Sequence, residues 1–527
     1  AVGISCVDLV LAGTHGLWRR IGEIRAMIRR TVIKGPRFTP RRTVYAMNLT
    51  EISPAIALSP LDGRYRRQTH PLVEFLSEPA LNRERMCVEV EWMILLANGY
   101  KGNGNRPLVT GVHPLTDVEK RFLRDIPEGF DEAAIARHAA HEAVTHHDVK
   151  AVEYSIDDAL EAARSALPEG SQLPRLTTLV HFACTSEDIN NLSTARCVRN
   201  AVENVWLPKV QAIVDELDEK AHLYRARPML SLTHGQPATP TTLGKELAVY
   251  VHRLDRQLRR VRAQEYLGKL NGATGTFGAH MAAVPQVDWI DVSRVFVTER
   301  MGLTWNPLTT QIESHDWQAE LYGAISHVNR ILHNLAVDVW MYISRGVFAQ
   351  EAVKGATGSS TMPHKINPIR FENAEANLEL SCAMLDSLSA TLVESRWQRD
   401  LTDSTTQRNI GSAMGYSVLA MDNLDAGLRS IHPNEAVMDR ELDDNWEVLG
   451  EPIQTAMRAA ELAGRTGMEH PYEQVKELMR GHAISQEDVE RFIDSLDFDD
   501  ETAERLRRLT PASYTGCADK LVDFDRQ

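Results

Sequence analysis

The chain has 527 residues, of which 43% are apolar, 25% charged and 6% aromatic, a composition typical of a globular protein with a sizeable core. Its 58 Lys and Arg residues against 72 Asp and Glu give a net charge of −14, which argues against nucleic-acid binding. No apolar stretch reaches about 18 residues, so the sequence excludes a membrane-spanning helix.

Residues 1–46 differ in charge from the rest of the chain. They contain nine Lys and Arg residues against only Asp8 and Glu23, whereas Met47 begins a segment of ordinary globular composition. The first apolar run lacks a basic flank, so a secretory signal is not expected. We expect residues 1–46 to be a basic extension outside the fold, and an organelle transit peptide stays open as its role.

Three later segments repeat apolar residues at alternating intervals of three and four. They cover residues 200–225, 243–267 and 317–345. This period predicts long amphipathic helices, each about 35–40 Å in length. Helices of that length pack side by side, so the sequence predicts an all-α protein with a central long-helix bundle.

Changes in composition divide the remaining chain into three parts. A Pro-, Gly- and Ser-containing stretch closes an N-terminal helical domain at 47–174. The long-helix bundle domain occupies 175–429, and a charged C-terminal domain with shorter helices occupies 430–527. Two of these shorter helices are expected at 473–481 and 485–496.

The loop at 354–368 is the clearest candidate for a binding site. It combines glycines, serines and a proline with Lys365 and Asn367 just before a predicted helix. Exposed backbone N–H groups, an ammonium and an amide donor suit a carboxylate or phosphate. The alternative, an ordinary glycine-rich linker, stays open on the residues alone.

Two further segments have a structural and a functional interpretation. His234 lies in a Gly- and Pro-rich segment at 233–240 that precedes a predicted helix, where an imidazole could titrate near neutrality or be structural. Thr185 and Ser186 begin another predicted helix, where hydroxyls cap the helix or receive an anion.

A histidine cluster at 138–147 suggests zinc at first sight. Its spacing argues against a metal site, because His141 and His146 are five residues apart and diverge by about 140° around a helix. The six cysteines are widely separated and form no Cys-x-x-Cys pair, which favours a reducing compartment and no structural zinc. A zinc hydrolase stays as a distant alternative.

Six segments together resemble one family. The sequence Ser-Ser-Thr-Met-Pro-His-Lys-Ile-Asn-Pro at 359–368 resembles the shared loop of the fumarase/aspartase superfamily, and His364 before Lys365 is similar to its adenylosuccinate lyase family. Segments 62–65, 147–150, 181–191, 233–240 and 395–404 are similar to the bacterial form of that family. The resemblance runs from about Ile52 to the C-terminus.

The resemblance implies an all-α, three-domain protomer and a homotetramer with a twenty-helix core and active sites shared between chains. It implies β-elimination of fumarate from adenylosuccinate, giving AMP, and from succinyl-aminoimidazole-carboxamide ribonucleotide. The substrates would be small-molecule nucleotides, and the reaction would need no metal or organic cofactor. Neither nucleic acid nor a membrane would be a partner, and the enzyme would be located in the cytoplasm.

The resemblance also implies roles for individual residues. Ser359 would be the general base and His234 the general acid, with Lys365 supplying positive charge and Glu372 orienting His234. The positions that match substrate-binding residues are Arg64, Tyr65, His147, Asp148, Thr185, Ser186, Gln311, Ser360, Asn367, Asn373, Arg399, Ser404 and Arg408. These residue types suit the reaction, which needs donors and positive charge for a developing carbanion and a proton for the leaving nitrogen.

Two alternatives compete with this interpretation, one from the same superfamily and one from another class. Another fumarate-releasing lyase, such as argininosuccinate lyase or fumarase, would use the same elimination with a different leaving group. A catalytically silent helical protein would be free to lose Ser359, Lys365, Asn367 and His234, all of which are present.

Overall fold

Long helices dominate the architecture. The computed structural model describes residues 57–351, 362, 365–479 and 484–524. The extension expected at 1–46 lies outside the described residues, and the chain from Ala57 onward forms one compact unit. No described helix has both the length and the apolarity needed to cross a membrane.

The first part of the described chain consists of five helices and three short 3₁₀ turns. The helices are α1 Arg66–Leu76, α2 Glu78–Asn98, α3 Asp117–Glu128, α4 Glu132–Thr145 and α5 Asp148–Ala166. The 3₁₀ turns are Lys101–Asn103, Leu173–Arg175 and Thr177–Leu179. Side chains of Ser77, Thr116, Asp131 and His147 accept hydrogen bonds from backbone N–H groups at the starts of α2 to α5, which fixes where these helices begin.

The middle and C-terminal parts contain the remaining helices. The middle part has α6 Ser186–Ala201, α7 Leu207–Leu223, α8 Leu243–Arg262, α9 Gly278–Ala283, α10 Trp289–Val295, α11 Asp316–Arg345, α12 Ile369–Leu392, α13 Thr402–Gln407 and α14 Ile410–Leu428. The C-terminal part has α15 Glu435–Asp443, α16 Gly450–Leu462, α17 Pro471–Met479, α18 Gln486–Asp494, α19 Asp500–Arg507 and α20 Ala518–Leu521, with 3₁₀ turns at Trp446–Leu449, Pro511–Ser513 and Val522–Phe524.

The three predicted long helices are confirmed as α7, α8 and α11, but α7 with 17 residues and α8 with 20 residues are shorter than the predicted length of about 35–40 Å. The first of them starts later than predicted, because the five-residue π-helical segment Val202–Trp206 separates α6 from α7. A second π-helical segment, Phe296–Arg300, follows α10. Pro208 in the first turn of α7 lacks an N–H group, so regular α-helical hydrogen bonding cannot continue from α6.

Buried apolar faces hold α7, α8, α11, α12 and α14 together as the bundle. Helix α11 packs along α12, which packs along α14. A chain of buried polar side chains also crosses the bundle: Trp206 Nε1 donates to Ser417 Oγ (2.9 Å), which donates to Asn329 Oδ1 (2.8 Å), and Asn329 Nδ2 donates to Ser381 Oγ (3.1 Å). A shift of one helix along another would leave these buried groups without hydrogen-bond partners. These hydrogen bonds therefore fix the register of the helices.

The segment at 233–240, expected to be a loop before a helix, is instead part of a β-hairpin. Strands β1 Pro228–Thr233 and β2 Gln236–Thr242 pair antiparallel, with Thr233 opposite Gln236. Both turn residues have positive φ angles, 54° at His234 and 73° at Gly235, as a tight two-residue hairpin requires. Two small pairs complete the described strands: β3 Leu267–Gly268 with β4 Thr304–Trp305, and β5 Phe348–Gln350 with β6 Ile431–Pro433.

The two largest of the three apolar clusters in the described chain differ in size. The larger core joins residues from the first helices and from the bundle, from Leu72 to Val522. The smaller core, from Leu449 to Leu506, holds the C-terminal helices together. The domain boundaries at 174 and 429 stay predictions. The short helices expected at 473–481 and 485–496 are confirmed as α17 and α18, within two residues at each end.

Truncating the bundle core tests how much the packing of α11 contributes to stability. Leu332 is fully buried in α11, so Leu332→Ala should lower the free energy of unfolding by about 2–5 kcal/mol. The control is Leu462→Ala, which removes the same atoms from a side chain that is 91% exposed. Urea unfolding followed by circular dichroism should show a large shift only for Leu332→Ala; equal midpoints would contradict the assigned packing.

Candidate active site

A cleft between α1, α2, α5, α6 and α13 brings several predicted site residues together. It holds about 730 Å³ of space open to solvent, and Asp148, Ser404 and Arg408 line it. Glu187, the neighbour of Ser186, lines it as well. Residues far apart in the sequence therefore lie together at this cleft, and we call them the anion wall. Arg85, Asp148, Glu187, Ser404 and Arg408 line the cleft, and Arg399 adjoins it through Glu187 and Ser404.

Asp148 links two arginines of the anion wall. Its Oδ2 accepts hydrogen bonds from Arg85 Nη2 at 2.8 Å and from Arg408 Nη2 at 3.3 Å. Burial raises the pKa of Asp148, but the charge of Arg85 and its hydrogen bonds outweigh burial and hold the pKa below its ordinary value. His147, next to Asp148, caps α5 through Nδ1, which accepts the backbone N–H of Lys150 at 3.2 Å.

A row of polar side chains on one face of α2 packs against the anion wall. The sequence motifs did not predict this row. Glu78, Asn82, Arg85 and Glu89 lie at helical spacing, and the last three are almost fully buried. Arg85 donates to Asn82 Oδ1 (2.6 Å) and, through Nε, to Asn190 Oδ1 on α6 (2.9 Å). Charged residues that recur at helical spacing within an apolar helix are the signal that could have found this row.

The start of α6, which carries Thr185 and Ser186, rests on a buried ion pair. Asp188 accepts the backbone N–H of Thr185 at 2.9 Å and pairs with Lys269 Nζ at 2.8 Å. Both side chains of the pair are fully buried, and the backbone N–H groups of Asn271 and Gly272 also donate to Asp188. The carboxylate thereby fixes the start of α6 to the segment after β3.

The segment before α6 is strained and held from two sides. His181 and Ala183 both have φ of 58°, a conformation that non-glycine residues rarely adopt. His181 Nδ1 donates to Glu89 Oε1 at 2.6 Å, and Trp92 Nε1 donates to the carbonyl of Phe182 at 3.0 Å. Burial lowers the pKa of His181, but the hydrogen bond and charge of Glu89 raise it above its ordinary value.

Arg399 joins α6 to the α13 region at the edge of the cleft. Its Nη1 lies 3.0 Å from Glu187 Oε1 and 3.2 Å from Asp403 Oδ2, and its Nη2 donates to Ser404 Oγ at 3.2 Å. Gln311 donates to the carbonyl of Ala273 at 2.9 Å. Glu187 and Asp403 lay inside the quoted motifs but were not predicted as site residues.

A second group of predicted residues surrounds the start of α12. Glu372 Oε1 accepts the indole N–H of Trp340 at 3.2 Å, and Asn373 Nδ2 donates to Tyr65 Oη at 3.4 Å. Exposed Arg64 stacks its guanidinium 5.8 Å from the centre of the Tyr65 ring.

The remaining loop residues are described only in part. Lys365 is exposed, and its backbone N–H donates to the carbonyl of Met362 at 3.0 Å; half-buried Asn367 precedes α12. Ser359 and Ser360 lie outside the described residues. His234 is exposed at the tip of the β1–β2 hairpin, and the described contacts of this chain do not bring it to the anion wall.

The histidine cluster is divided by the junction of α4 and α5. His138 is buried against Ser155 (Nδ1 to Oγ, 3.2 Å), whereas His141 Nε2 contacts Asp158 at 2.7 Å. His146 ends α4 with φ of 51°, and His147 begins the next helix. Among the described residues, no group of three or more His, Cys, Asp or Glu side chains is arranged to hold a metal.

Two family profiles match nearly the whole described chain. Residues 63–382 match the family described as Lyase, and residues 395–515 match the adenylosuccinate lyase C-terminal family. Among solved structures, the chain is similar to a 3-carboxy-cis,cis-muconate lactonizing enzyme from Pseudomonas putida (TM-score 0.65, 20% identity, 86% of this chain and 96% of that one) and to a fumarate lyase from Mesorhizobium sp. BNC1 (TM-score 0.65, 17%, 86% and 97%). The chain therefore belongs to the family described as Lyase and shares the fold of these two structures.

Curated relatives define the family more closely. Adenylosuccinate lyases from Haemophilus influenzae and Vibrio cholerae are 44% identical over 473 residues, and the one from Escherichia coli is 45% identical. Each alignment covers 90% of this chain and 99% of the relative. The chain belongs to the adenylosuccinate lyase family.

The buried pair beneath α6 can be tested by removing its cation. Lys269→Met leaves the Asp188 carboxylate buried without a counter-charge and should lower the free energy of unfolding by about 3–5 kcal/mol. The same substitution at exposed Lys476, which pairs with Glu473 at 3.3 Å, should change it little. Urea unfolding of both variants measures the difference, and similar shifts would show that the buried pair does not hold this region.

Proposed function

We propose that this chain catalyses the β-elimination of fumarate from adenylosuccinate and from succinyl-aminoimidazole-carboxamide ribonucleotide. The observation that carries the proposal is the 44–45% identity to adenylosuccinate lyases across 99% of their length, together with Ser359, Lys365, Asn367 and His234 at the matching motif positions. A silent relative would be free to lose these residues.

The proposed elimination assigns each proton and electron pair to a residue. Ser359 removes a proton from the succinyl carbon beside a carboxylate, and the electrons of that C–H bond form the double bond of fumarate. The C–N bond breaks towards the nitrogen, which receives a proton from His234. Lys365 and Asn367 stabilise the developing carboxylate charge, and Glu372 orients His234.

The anion wall supplies the proposed substrate-binding half of the site. Asp148, Arg399, Ser404 and Arg408 bind and align the anionic and polar groups of the nucleotide, with His147, Thr185, Ser186 and Gln311 from the flanking segments. Arg64, Tyr65, Ser360 and Asn373 complete the set of proposed contacts. Bidentate guanidinium groups suit phosphate and carboxylate oxygens.

The geometry of α11 supports a site shared between chains. His315, just before α11, contacts Asp403 of the anion-wall region at 3.2 Å, whereas Arg345 at its other end pairs with Glu441 of α15, against which β1 packs. The 30 residues of α11 span about 45 Å, and the seven residues of β2 reach about 23 Å. Because the hairpin packs at the end of α11 opposite to His315 and is shorter than α11, the described contacts leave a gap between His234 and the anion wall of the same chain.

A second copy in the antiparallel direction would remove this gap. We propose a homotetramer in which the hairpin of one chain meets the anion wall of another. Exposed Ala376, Leu380 and Ala383 on α12 continue the three- and four-residue spacing of a helix seam and suit burial against a neighbouring helix. We also propose a cytoplasmic location, which the free thiols of the five cysteines in the described residues support.

The reaction is tested by following fumarate release on the full chain and on residues 47–527. We expect turnover with adenylosuccinate and with the succinyl-carboxamide ribonucleotide. His234→Ala and Ser359→Ala should each reduce kcat by about 10²–10⁴-fold, because each removes one proton transfer. His470→Ala, an exposed histidine of the C-terminal part, is the control. Turnover of argininosuccinate or malate instead would contradict the proposed substrate.

Mixing two impaired variants, assayed at substrate concentrations below the wild-type KM, tests the shared site. His234→Ala and Arg399→Ala oligomers are dissociated together in mild urea and reassembled, so that some hybrid sites contain neither substitution. We expect the mixture to be far more active than the sum of the separate variants treated in the same way. Activity no higher than that sum would mean that one chain provides both residues.

A further inference from the structure

Arg399 is held in one orientation by two carboxylates and a hydroxyl. Its guanidinium lies between Glu187 and Asp403 and donates to Ser404 Oγ. A long arginine side chain has many rotamers, and fixing it in advance reduces the entropy lost when it binds an anion. The residues that hold Arg399 therefore influence how tightly it binds.

Asp403 is the centre of this arrangement. Besides Arg399, its carboxylate accepts the backbone N–H of Ser404 (Oδ1, 2.6 Å) and lies 3.2 Å from His315 Nε2. Burial raises the pKa of Asp403, but the hydrogen bond from His315 and the charge of Arg399 lower it below its ordinary value. One buried carboxylate thus sets the positions of both Arg399 and Ser404.

The environment of His315 defines which nitrogen carries its proton. Gln407 Nε2 lies 3.4 Å from His315 Nδ1 and 3.2 Å from Gln318 Oε1. A carboxylate only accepts, so His315 Nε2 carries a proton and donates it in a hydrogen bond to Asp403. His315 is almost fully buried and adopts a left-handed backbone with φ of 60°, which costs about 1–2 kcal/mol in a non-glycine residue.

We propose that His315 is a positioning residue that acts through Asp403 to align Arg399 and Ser404 for substrate binding. The ring lies behind Asp403 and donates its Nε2–H to the carboxylate that holds the two binding groups. The inference rests on the proposed function in one respect, the assignment of Arg399 and Ser404 as substrate-binding residues.

A purely structural role for His315 makes different predictions, and a pair of substitutions separates them. His315→Gln retains an amide N–H that can donate to Asp403, whereas His315→Leu has no donor. Both variants carry the same backbone strain, so the strain cancels in the comparison. His138→Leu is the matched control, because His138 is equally buried but contacts Ser155 on α5.

Steady-state kinetics with adenylosuccinate supply the readout. Losing a hydrogen bond to a charged group should raise KM about 10–100-fold in His315→Leu, with little change in kcat, because the affected contacts are remote from the reacting atoms. His315→Gln should restore KM to within about threefold of wild type, since it keeps the donor. In an Asp403→Asn background, His315→Leu should have almost no further effect, because the two residues act in series.

Other outcomes overturn the inference. Equal KM increases in His315→Leu and His315→Gln, or losses that add to that of Asp403→Asn, would assign His315 a structural role. An effect of His138→Leu as large as that of His315→Leu would do the same. Arg399→Ala separates a failure of the proposed function from a failure of this inference. An unchanged KM in Arg399→Ala would remove Arg399 from the substrate-binding residues and overturn this inference as well. A raised KM in Arg399→Ala together with an unchanged KM in His315→Leu would overturn the inference alone.

Discussion

The length of α11 is the constraint on which the arrangement of the active site depends. The helix runs for 30 residues, with the anion-wall region at its first residues and the hairpin-bearing region at its last. A helix of about 45 Å separates Asp403, the partner of Arg399, from the region against which the hairpin of the proposed acid, His234, packs. The bundle therefore acts as a spacer, and association of chains becomes part of the proposed catalytic mechanism.

The balance of charges at the anion wall also bears on how the proposed substrate is bound. The three arginines of the anion wall, Arg85, Arg399 and Arg408, pair with four carboxylates, those of Glu78, Asp148, Glu187 and Asp403. A substrate with a phosphate and two carboxylates adds further negative charge to this region. Exposed cations outside the wall, such as Lys365 and Arg64, would supply the compensating field in the proposed mechanism.

The sequence predicted the bundle well because the signal for a buried helix is local. Val210, Val214 and Leu217 recur at helical intervals and are all fully buried in α7. The β1–β2 hairpin was not predicted, because its strands show little alternation of apolar and polar residues and its turn signal is a single His-Gly pair. The supporting groups Arg85, Asp188 and Lys269 were also not predicted, since their partners lie 63 or more residues away in the sequence. The role of Ser359 was available only through resemblance and stays a prediction.

Dilution of the enzyme through its dissociation range tests the central claim most directly. Specific activity is measured by fumarate release at each protein concentration, and the oligomeric state is measured in parallel by mass photometry. We expect the activity per chain to fall together with the oligomeric fraction, with the isolated protomer essentially inactive. Full activity per chain in a population that is entirely monomeric would contradict the claim that the site needs a second copy.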